Sequence, residues 1–369
     1  MTTIHQYRFG VNYTPSQKWW FCWNDFSRDE IARDLDTITE LHADHIRIMA
    51  IWPYFQPNPS WVSPSHLEHL RTIMKLAAER NLDVCVSLFV GHLTGQHFRP
   101  GYEFNADFFT DERMLAIQKL YIEKMAAVLN SFDNFLGFDL GNELNCCWKT
   151  ADLAVGDAWN NRILELMNHL SPGKIHVNGV DHSPWFHPAT FSPQALTASQ
   201  SIVPIHSWIR FTGALKLSDG NSLDRRCLGL IPAMAALVRA YAGDPRKPVW
   251  VQEYGASEEW MKAETIPEFL ERSMRSAIAG GVAWFTCWAS HDIDHKFDVN
   301  PLEYSLGLID IHQNIKPQGR IFARLAEEYR GKEVRIPDCR FPDEKPACVN
   351  AELTWKWLCD WLENNRDLG

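Results

Sequence analysis

The chain has 369 residues, a formal net charge of −10 and a pI near 5.8. An acidic surface argues against nucleic acid or an anionic membrane as the main partner. The length exceeds that of most single domains, but α/β barrels often reach it around one core. The 16 tryptophans suit the apolar faces of sugars as well as they suit a protein core.

The N-terminus and the cysteines indicate a cellular location. Residues Met1 to Arg8 lack a basic stretch followed by an apolar one, so we expect no export signal. No window approaches eighteen continuous apolar residues, and no transmembrane span is expected. The odd number of cysteines and the lack of Cys-x-x-C fit reduced thiols in the cytoplasm better than disulfides or a zinc site. The nine cysteines are Cys22, Cys85, Cys146, Cys147, Cys227, Cys287, Cys339, Cys348 and Cys359.

Short apolar runs alternate with helical patterns along the chain. Strands are predicted near residues 9–12, 45–50, 82–90, 135–141, 174–178, 202–206, 249–253 and 282–288. Helices are predicted at 28–41, 65–80, 112–130, 154–170, 193–199, 231–242, 266–279 and 317–329. The first helix begins with a Ser27-x-x-Glu30 capping box. Eight strand-helix repeats predict an α/β fold, a closed (β/α)8 TIM barrel.

The barrel is followed by a different kind of segment. Prolines appear in a loop-like stretch after Tyr329, so we assign the barrel to residues 1–330 and a C-terminal extension to residues 331–369. The extension contains a tryptophan-rich helix near residues 351–365. We expect one face of this helix to dock on the barrel or on a neighbouring subunit, which leaves a homo-oligomer open. That face carries Leu353, Trp357, Leu358, Trp361 and Leu362.

Five connections on one rim of the predicted barrel are unusually long, at residues 13–26, 51–64, 91–111, 207–226 and 289–316. They follow the C-terminal ends of strands, where barrels of this fold place their active sites. Long loops in such positions usually build or cover a binding site. We expect their aromatic side chains to wall a narrow pocket, namely Trp19, Trp20, Trp23, Trp52, Tyr54 and Trp208.

Two glutamates end short apolar runs, Glu143 in residues 137–143 (GFDLGNE) and Glu253 in residues 249–253 (VWVQE). On the fourth and seventh strands they would face one another across the barrel mouth. Hydrolysis of a glycosidic bond uses two such carboxylates, one as acid and the other as nucleophile or as base for water. Either glutamate alone is more readily interpreted as a solvated strand end, but strand position, spacing and strand count together favour the catalytic pair.

With these motifs the chain resembles glycoside hydrolase family 5, in the clan of retaining barrel enzymes, over most of residues 9–330. The resemblance implies that Glu143 is the acid/base and Glu253 the nucleophile. It also implies that Asn142 contacts the sugar 2-hydroxyl and that Arg47 supports the nucleophile. Three further positions are implied to line the sugar subsite: His92, His206 and Trp288.

One position departs from the family pattern. The family usually has a tyrosine two residues after the histidine of the sixth strand, and this chain has Trp208 there. An indole cannot make the phenolic hydrogen bond to the nucleophile. We therefore expect Tyr254 or another hydroxyl in that role, unless the alignment of the sixth strand is shifted.

Two segments, residues 10–16 (GVNYTPS) and 52–58 (WPYFQPN), further resemble subfamily 18 of that family. That branch is associated with β-mannosidase activity on the Manβ1-4GlcNAc core of N-glycans. The resemblance implies a cytoplasmic retaining exo-β-mannosidase that takes terminal mannose from short oligosaccharides and needs no cofactor. An endo-acting β-mannanase or β-glucanase with an open cleft is the competing hypothesis within the same family.

Two more hypotheses place the chain in a different class of protein. A sugar-binding barrel without catalysis is one, and the intact Glu143 and Glu253 count against it. A metal-dependent hydrolase that uses residues 291–295 (HDIDH) is the other. No partner motif completes a metal site, so no metal is expected and His291 is interpreted as contacting substrate or solvent.

Three acidic or basic positions near the strand ends also need an interpretation. Asp139 lies inside the fourth strand and is expected to be hydrogen-bonded within the barrel. Asp181 and His182 follow the fifth strand, where they either reach the sugar or are ordinary polar loop residues. A buried Arg47 needs a carboxylate partner, and Glu253 is the expected one.

Overall fold

In the computed structural model, which describes residues 4–103, 105–187, 189–347 and 349–366, seven parallel strands form one curved sheet. Cys348 and the first three residues of the N-terminal segment lie outside the described residues. The strands, in chain order, are β1 (Arg8–Asn12), β2 (His45–Met49), β3 (Asp83–Ser87), β6 (Phe135–Asp139), β7 (Val203–His206), β8 (Val249–Glu253) and β9 (Trp284–Cys287). A short antiparallel hairpin, β4 (His92–Leu93) and β5 (Gln96–His97), lies in the loop after β3.

The strand order is that of a barrel. The sheet runs β6-β3-β2-β1-β9-β8-β7, so β1 pairs in parallel with both the second and the last strand. The register brings polar residues opposite one another at the C-terminal ends of the strands. The opposed pairs are Asn12 with Arg47, Ser87 with Asp139 and His206 with Glu253. The fold is the predicted (β/α)8 TIM barrel.

The fifth strand position is irregular. The backbone near Ile175 and Val177 runs beside β6, where these two residues donate N–H bonds to Leu136 and Phe138 oxygens at 2.9 Å. On its other side no ladder to β7 forms among the described residues, and the Asn178 N–H is bound instead by the side chain of Gln200 at 2.7 Å. The prediction of a regular strand at 174–178 is therefore wrong, because a side-chain acceptor replaces a backbone partner.

Eight long helices surround the sheet, each within two residues of its predicted bounds. They are α1 (Arg28–Glu40), α3 (Pro64–Ala78), α4 (Glu112–Leu129), α6 (Leu153–Leu170), α8 (Pro193–Ser199), α11 (Leu230–Ala242), α12 (Ile266–Ala279) and α13 (Pro317–Tyr329). Ser27 caps α1 by accepting the Glu30 N–H at 3.4 Å, as the capping motif predicts. Within the described ranges, every helix is too short or too polar to cross a membrane.

Short helical turns occupy the long loops. They are α2 (Trp52–Phe55), α5 (Leu144–Cys147), α7 (Ser183–Phe186), α9 (Ala214–Leu217) and α10 (Arg225–Leu228), with 3-10 turns at Trp19–Trp23, Gly101–Glu103, Ala263–Thr265 and Pro301–Ser305. A single helical turn is too short to show the periodicity of a helix, so these elements could not be predicted from the sequence.

The barrel interior is filled below the mouth by aromatic side chains. Trp250 and Trp284 are fully buried, with ring centroids 5.1 Å apart. The Trp250 indole donates to the Thr286 hydroxyl at 2.7 Å, and His45 hydrogen-bonds the same hydroxyl at 2.7 Å. Side chains from β2, β8 and β9 thus form a packed floor beneath the polar residues at the strand ends.

Helix α14 (Ala351–Asn364) of the extension packs against α7, α10 and α11 of the same chain. Leu353, which we expected on the docking face, is 44% exposed. The buried stripe instead begins with Thr354 and Trp355, because Leu353 lies in the first turn and faces outward. The Trp355 indole donates to the Thr212 carbonyl at 2.7 Å, which joins the extension to a loop on the barrel rim. The other four predicted face residues are buried.

Gly137 in β6 has no room for a side chain. A Cβ atom there would lie 1.6 Å from the Ile175 carbonyl oxygen, so β6 and the irregular fifth segment approach more closely than alanine allows. We expect Gly137→Ala to lower the free energy of unfolding by about 1–3 kcal/mol, as overpacking does, measured by urea denaturation. Gly101→Ala is the control, because a Cβ there meets no heavy atom within 4 Å. Equal stability of the two variants would contradict the close approach.

Candidate active site

A pocket of about 400 Å³ opens at the C-terminal ends of the strands. Glu253 is the last residue of β8, and Glu143 follows β6 at the start of α5. Both glutamates line the pocket. Four of the other predicted site residues line it with them, namely His92, Asn142, Trp208 and Trp288.

The two carboxylates lie close together, with a histidine between them. One oxygen of Glu143, one oxygen of Glu253 and a ring nitrogen of His206 all lie within 4.8 Å of one another. His206 Nδ1 is 2.8 Å from Glu143 Oε1 and 3.3 Å from Glu253 Oε2. Retaining glycosidases hold their carboxyl groups about 5–5.5 Å apart, and inverting ones about 6.5–9.5 Å to admit a water. An approach of 4.8 Å or less between oxygens of the two carboxyl groups fits the retaining spacing better than the inverting one.

Arg47 on β2 is fully buried and holds the site together from below. Its Nη1 donates to Glu253 Oε1 at 3.0 Å and to Asn12 Oδ1 at 2.9 Å. Its Nη2 donates to Asp139 Oδ2 at 2.6 Å and to Asn142 Oδ1 at 2.9 Å. The N–H groups of the guanidinium therefore orient side chains at the strand ends. The expected contact with Glu253 is present.

Asp139 is hydrogen-bonded within the barrel, as expected for an acidic residue inside a strand. Besides Arg47, it accepts the Ser87 hydroxyl at 2.9 Å and the Gly179 N–H at 2.7 Å. Its carboxylate thus links β2, β3 and the irregular fifth segment. Asn142, three residues beyond β6, donates its side-chain N–H to the His92 carbonyl at 2.7 Å.

Glu143 combines a strained backbone with a protonated side chain. Its φ of 43° lies in the left-handed region, and its N–H is bound by the Gly179 carbonyl at 2.9 Å. Burial, and then the charge of Asp181, raise the pKa of Glu143 to about 8, although Arg47 opposes the shift. The carboxyl therefore carries its proton at neutral pH, as a general acid requires.

Glu253 is the more acidic of the two carboxyls. Burial raises the pKa of Glu253 to about 7, and Glu143 adds to the rise, whereas His206 and Arg47 lower it. Arg47 donates directly to Glu253 but not to Glu143. When the pair holds one proton, that proton therefore resides mainly on Glu143.

Trp208 itself replaces the tyrosine of the family pattern. Its indole N–H donates to Glu253 Oε2 at 3.3 Å. Our expectation that Tyr254 or another hydroxyl takes this role is wrong, because Tyr254 does not line the pocket and its hydroxyl contacts Met274 Sδ at 3.3 Å. Side chains alternate along a strand, so Glu253 faces the mouth and its neighbour faces the helices.

His291 is also absent from the pocket. It is buried, with its ring nitrogens 3.0 Å from Ser290 Oγ and 3.1 Å from Gln313 Oε1. The expected contact with substrate or solvent is therefore wrong, because other side chains occupy both nitrogens. Asp292 of the same motif pairs with Lys316 at 2.8 Å. Among the described residues, the metal-ligating groups that cluster closely are the two pocket glutamates and the histidine between them.

Five of the six aromatic residues expected to wall the pocket do not line it. Trp23 and Trp52 donate their indole N–H groups to Met49 O and Gln56 Oε1, both at 2.8 Å. The Trp20 ring packs against Trp288, with the ring centroids 6.3 Å apart. Trp19 and Tyr54 do not line the pocket either, and only Trp208 of the six does.

Several lining residues were not predicted. Phe211, which is 49% exposed, and Trp260 form an aromatic wall with Trp208, their ring centroids 5.7–6.3 Å apart. Asn300 and Glu303 reach the pocket from the loop after β9. Single residues in long loops carry no periodic signal, so only the length of these loops could have indicated them.

Asp181 and His182, for which the sequence allows two interpretations, both line the pocket. Asp181 accepts the Asn145 side-chain N–H at 2.6 Å and the Ser183 N–H at 2.8 Å. These bonds fix its carboxylate near Glu143, where its charge contributes to the raised pKa of that residue.

Compared with protein-family models and with curated protein sequences, the chain matches none. It is similar to solved structures. A GH5_18 structure from Streptomyces cattleya in complex with GlcNAc is 32% identical, with 92% of this chain and 83% of that chain covered and a TM-score of 0.85. A GH5_18 structure from Bifidobacterium longum subsp. infantis is 30% identical, with 98% and 90% covered and a TM-score of 0.89.

A third similar structure contains a disaccharide. It is a GH5_18 variant from Bifidobacterium longum subsp. longum in complex with Manβ1-4GlcNAc, 29% identical, with 98% of this chain and 93% of that chain covered and a TM-score of 0.86. The barrel and its paired carboxylates are those of a glycoside hydrolase. The chain belongs to glycoside hydrolase family 5, subfamily 18.

Replacing Trp208 by phenylalanine keeps a ring but removes the N–H donated to Glu253. We expect Trp208→Phe to lower kcat/KM on an aryl β-glycoside by roughly 10- to 100-fold, the range for losing a hydrogen bond to a charged group. Trp260→Phe is the matched control, since Trp260 lines the same pocket and packs on Trp208 without bonding a carboxylate. Equal losses in the two variants would show that the indole only packs.

Proposed function

We propose that the protein is a retaining exo-β-mannosidase that releases terminal mannose from short oligosaccharides, with Manβ1-4GlcNAc as the principal substrate. The observation that carries the proposal is the pair of glutamates, within 4.8 Å of each other in a pocket of about 400 Å³. A pocket of that volume suits a small molecule. The bound disaccharide in the similar Bifidobacterium structure supports the choice of substrate.

In the first step Glu253 attacks the anomeric carbon of the terminal mannose. The bond from that carbon to the glycosidic oxygen breaks as the bond to a Glu253 oxygen forms, and Glu143 gives its proton to the departing oxygen. Arg47 and Trp208 donate to different oxygens of Glu253, so the attacking carboxylate is held in one orientation.

In the second step Glu143 acts as a base. Once Glu253 is esterified its negative charge is gone, so an ionised Glu143 no longer faces a charged carboxylate across the pair and its ionised form becomes more stable. Glu143 then takes a proton from a water molecule that attacks the anomeric carbon and releases Glu253. Two displacements at one carbon return the original configuration.

The remaining pocket residues are proposed to bind the terminal sugar. Asn142 is held by Arg47 and by the His92 carbonyl, which orients its amide towards the sugar 2-hydroxyl. Trp288 presents a flat ring as the floor of the subsite. His206, hydrogen-bonded to Glu143 at 2.8 Å and 3.3 Å from Glu253, orders both glutamates and lies close to the anomeric centre.

The proposal includes a cytoplasmic location and no cofactor. All eight cysteines within the described residues are free thiols, as in a reducing compartment. The proposed double displacement uses only the two glutamates and water. A cytoplasmic enzyme of this kind acts on imported fragments rather than on polymers.

The substrate and the mode of cleavage are tested together. Wild-type protein is incubated with 4-nitrophenyl β-mannoside and β-glucoside, then with Manβ1-4GlcNAc and a mannooligosaccharide series, and products are followed by NMR and chromatography. We expect faster cleavage of the mannoside, mannose as the only early product, and the β-anomer first. Early internal fragments would favour an endo-acting enzyme, and loss of activity with a chelator would favour a metal-dependent one.

The pH dependence of kcat/KM should be bell-shaped. Activity should fall as the pH drops below the pKa of Glu253, because the nucleophile must be ionised. It should also fall as the pH rises through the pKa of Glu143, which burial raises to about 8, because the acid must keep its proton.

The variant Glu143→Gln separates the acidic limb of the pH profile of kcat/KM from its alkaline limb. With an activated aryl mannoside the alkaline limb should disappear, since the carboxamide does not titrate, and substrates with poor leaving groups should lose far more rate than activated ones. Glu258→Gln, at an exposed position, is the control and should keep the wild-type profile. A variant of Glu143 that retained the alkaline limb would contradict its role as the acid.

A further inference from the structure

A third glutamate lines the same pocket, and the proposed mechanism does not use it. Glu303 lies in the 3-10 turn Pro301–Ser305 of the loop after β9. Its Oε2 accepts the indole N–H of Trp288 at 3.3 Å. Its other oxygen, Oε1, has no hydrogen-bond partner among the described residues. A carboxyl group that lines a sugar-sized pocket with one free oxygen is equipped to bind a hydroxyl.

The turn that carries Glu303 is held on both sides. The Leu302 carbonyl accepts the Ser257 hydroxyl at 2.9 Å, and the Ser305 carbonyl accepts the Lys316 ammonium at 3.0 Å. Leu302 is itself buried. Glu303 is therefore placed by hydrogen bonds from the loop after β8 and from the start of α13, unlike a carboxylate on a mobile surface loop.

The charge environment of Glu303 differs from that of Glu253. Arg47 pairs with Glu253, whereas no cationic side chain in the described part of the chain forms an ion pair with Glu303. Burial raises the pKa of Glu303 to about 8; the Trp288 bond lowers it, and the nearby Glu253 and Glu143 raise it further. A protonated carboxyl can accept the indole N–H on one oxygen and donate its O–H from the other.

The position of Glu303 relative to the reacting atoms limits what it can bind. The anomeric carbon must lie between Glu143 and Glu253, and Asn142 is proposed for the neighbouring 2-hydroxyl. Glu303 reaches the pocket at the indole N–H of Trp288, the ring proposed to lie under the sugar. The hydroxyls left for it are those on C3, C4 and C6, away from the bond that is cleaved.

We propose that Glu303 is a specificity-determining residue that hydrogen-bonds one of these distal hydroxyls of the terminal mannose and fixes the Trp288 ring beneath it. The inference rests on the proposed function, because it assigns Glu303 to the terminal subsite of that enzyme. A hydrogen bond to a distal hydroxyl forms with the sugar and not with the leaving group, so it acts equally on good and poor leaving groups.

The test compares Glu303→Ala and Glu303→Gln on 4-nitrophenyl β-mannoside, on its 3-, 4- and 6-deoxy analogues, and on Manβ1-4GlcNAc, which has a poor leaving group. We expect Glu303→Ala to lower kcat/KM on the intact mannoside by roughly 10- to 100-fold, and on the analogue that lacks the bound hydroxyl by less than about 3-fold. Glu303→Gln keeps a donor and an acceptor and should lose less. Glu258→Gln is the control, an exposed glutamate whose N–H bonds Ser305 beside the same turn.

Three outcomes overturn the inference. Unchanged kinetics in both Glu303 variants would show that the residue contacts no sugar. Equal losses on all analogues would show that it acts only through Trp288 or through the fold, and the isosteric Glu303→Gln gives this readout if the alanine variant unfolds. A loss confined to poor leaving groups would make Glu303 a proton donor.

The test also separates the inference from the function on which it rests. If the wild type does not cleave the intact mannoside at all, the proposed function fails. If the wild type cleaves it and the Glu303 variants behave like the control, only the inference fails.

Discussion

A fully buried guanidinium must be surrounded by acceptors, and this requirement on Arg47 organises the mouth of the barrel. Desolvating such a cation costs several kcal/mol unless carboxylates and amide oxygens replace its hydration. The four acceptors come from β1, β6, β8 and, through Asn142, from the loop after β6. Asp139 takes no part in the proposed chemistry and keeps its two bonds from Arg47. Arg47 therefore keeps an acidic partner while Glu253 is esterified.

The same cation also divides the glutamates of the pocket into two kinds. Glu253 bonds Arg47 directly and is the carboxyl best able to lose its proton. Glu143 and Glu303 have no such partner within the described residues, and burial keeps both protonated at neutral pH. Because Arg47 bonds only one of the three pocket glutamates, the pocket has one nucleophile and two carboxyl groups that can donate a hydrogen bond. The proposed chemistry uses no metal ion.

The helices and the strand-end glutamates of this fold could be predicted from the sequence, whereas the local geometry of its loops could not. Eight helices were located by periodicity, and Glu143 and Glu253 by their place at strand ends. The prediction that Tyr254 bonds the nucleophile was wrong, because adjacent side chains point to opposite faces of a strand and the sequence does not show which face each one takes. The prediction that His291 contacts substrate or solvent was wrong because Gln313, 22 residues further on, hydrogen-bonds its ring nitrogen. Glu303 was missed because a single glutamate in a loop of 289–316 has no pattern around it.

The C-terminal helix has a consequence for how the enzyme is made. The Trp355 indole holds the Thr212 carbonyl, and the Thr212 N–H and hydroxyl both bond the Trp208 carbonyl, at 3.0 and 2.8 Å. Trp208 in turn holds Glu253. During synthesis the strands and both glutamates leave the ribosome well before Trp355 does. The bond that links the extension to the loop behind Trp208 can therefore form only after residues beyond 350 have been translated.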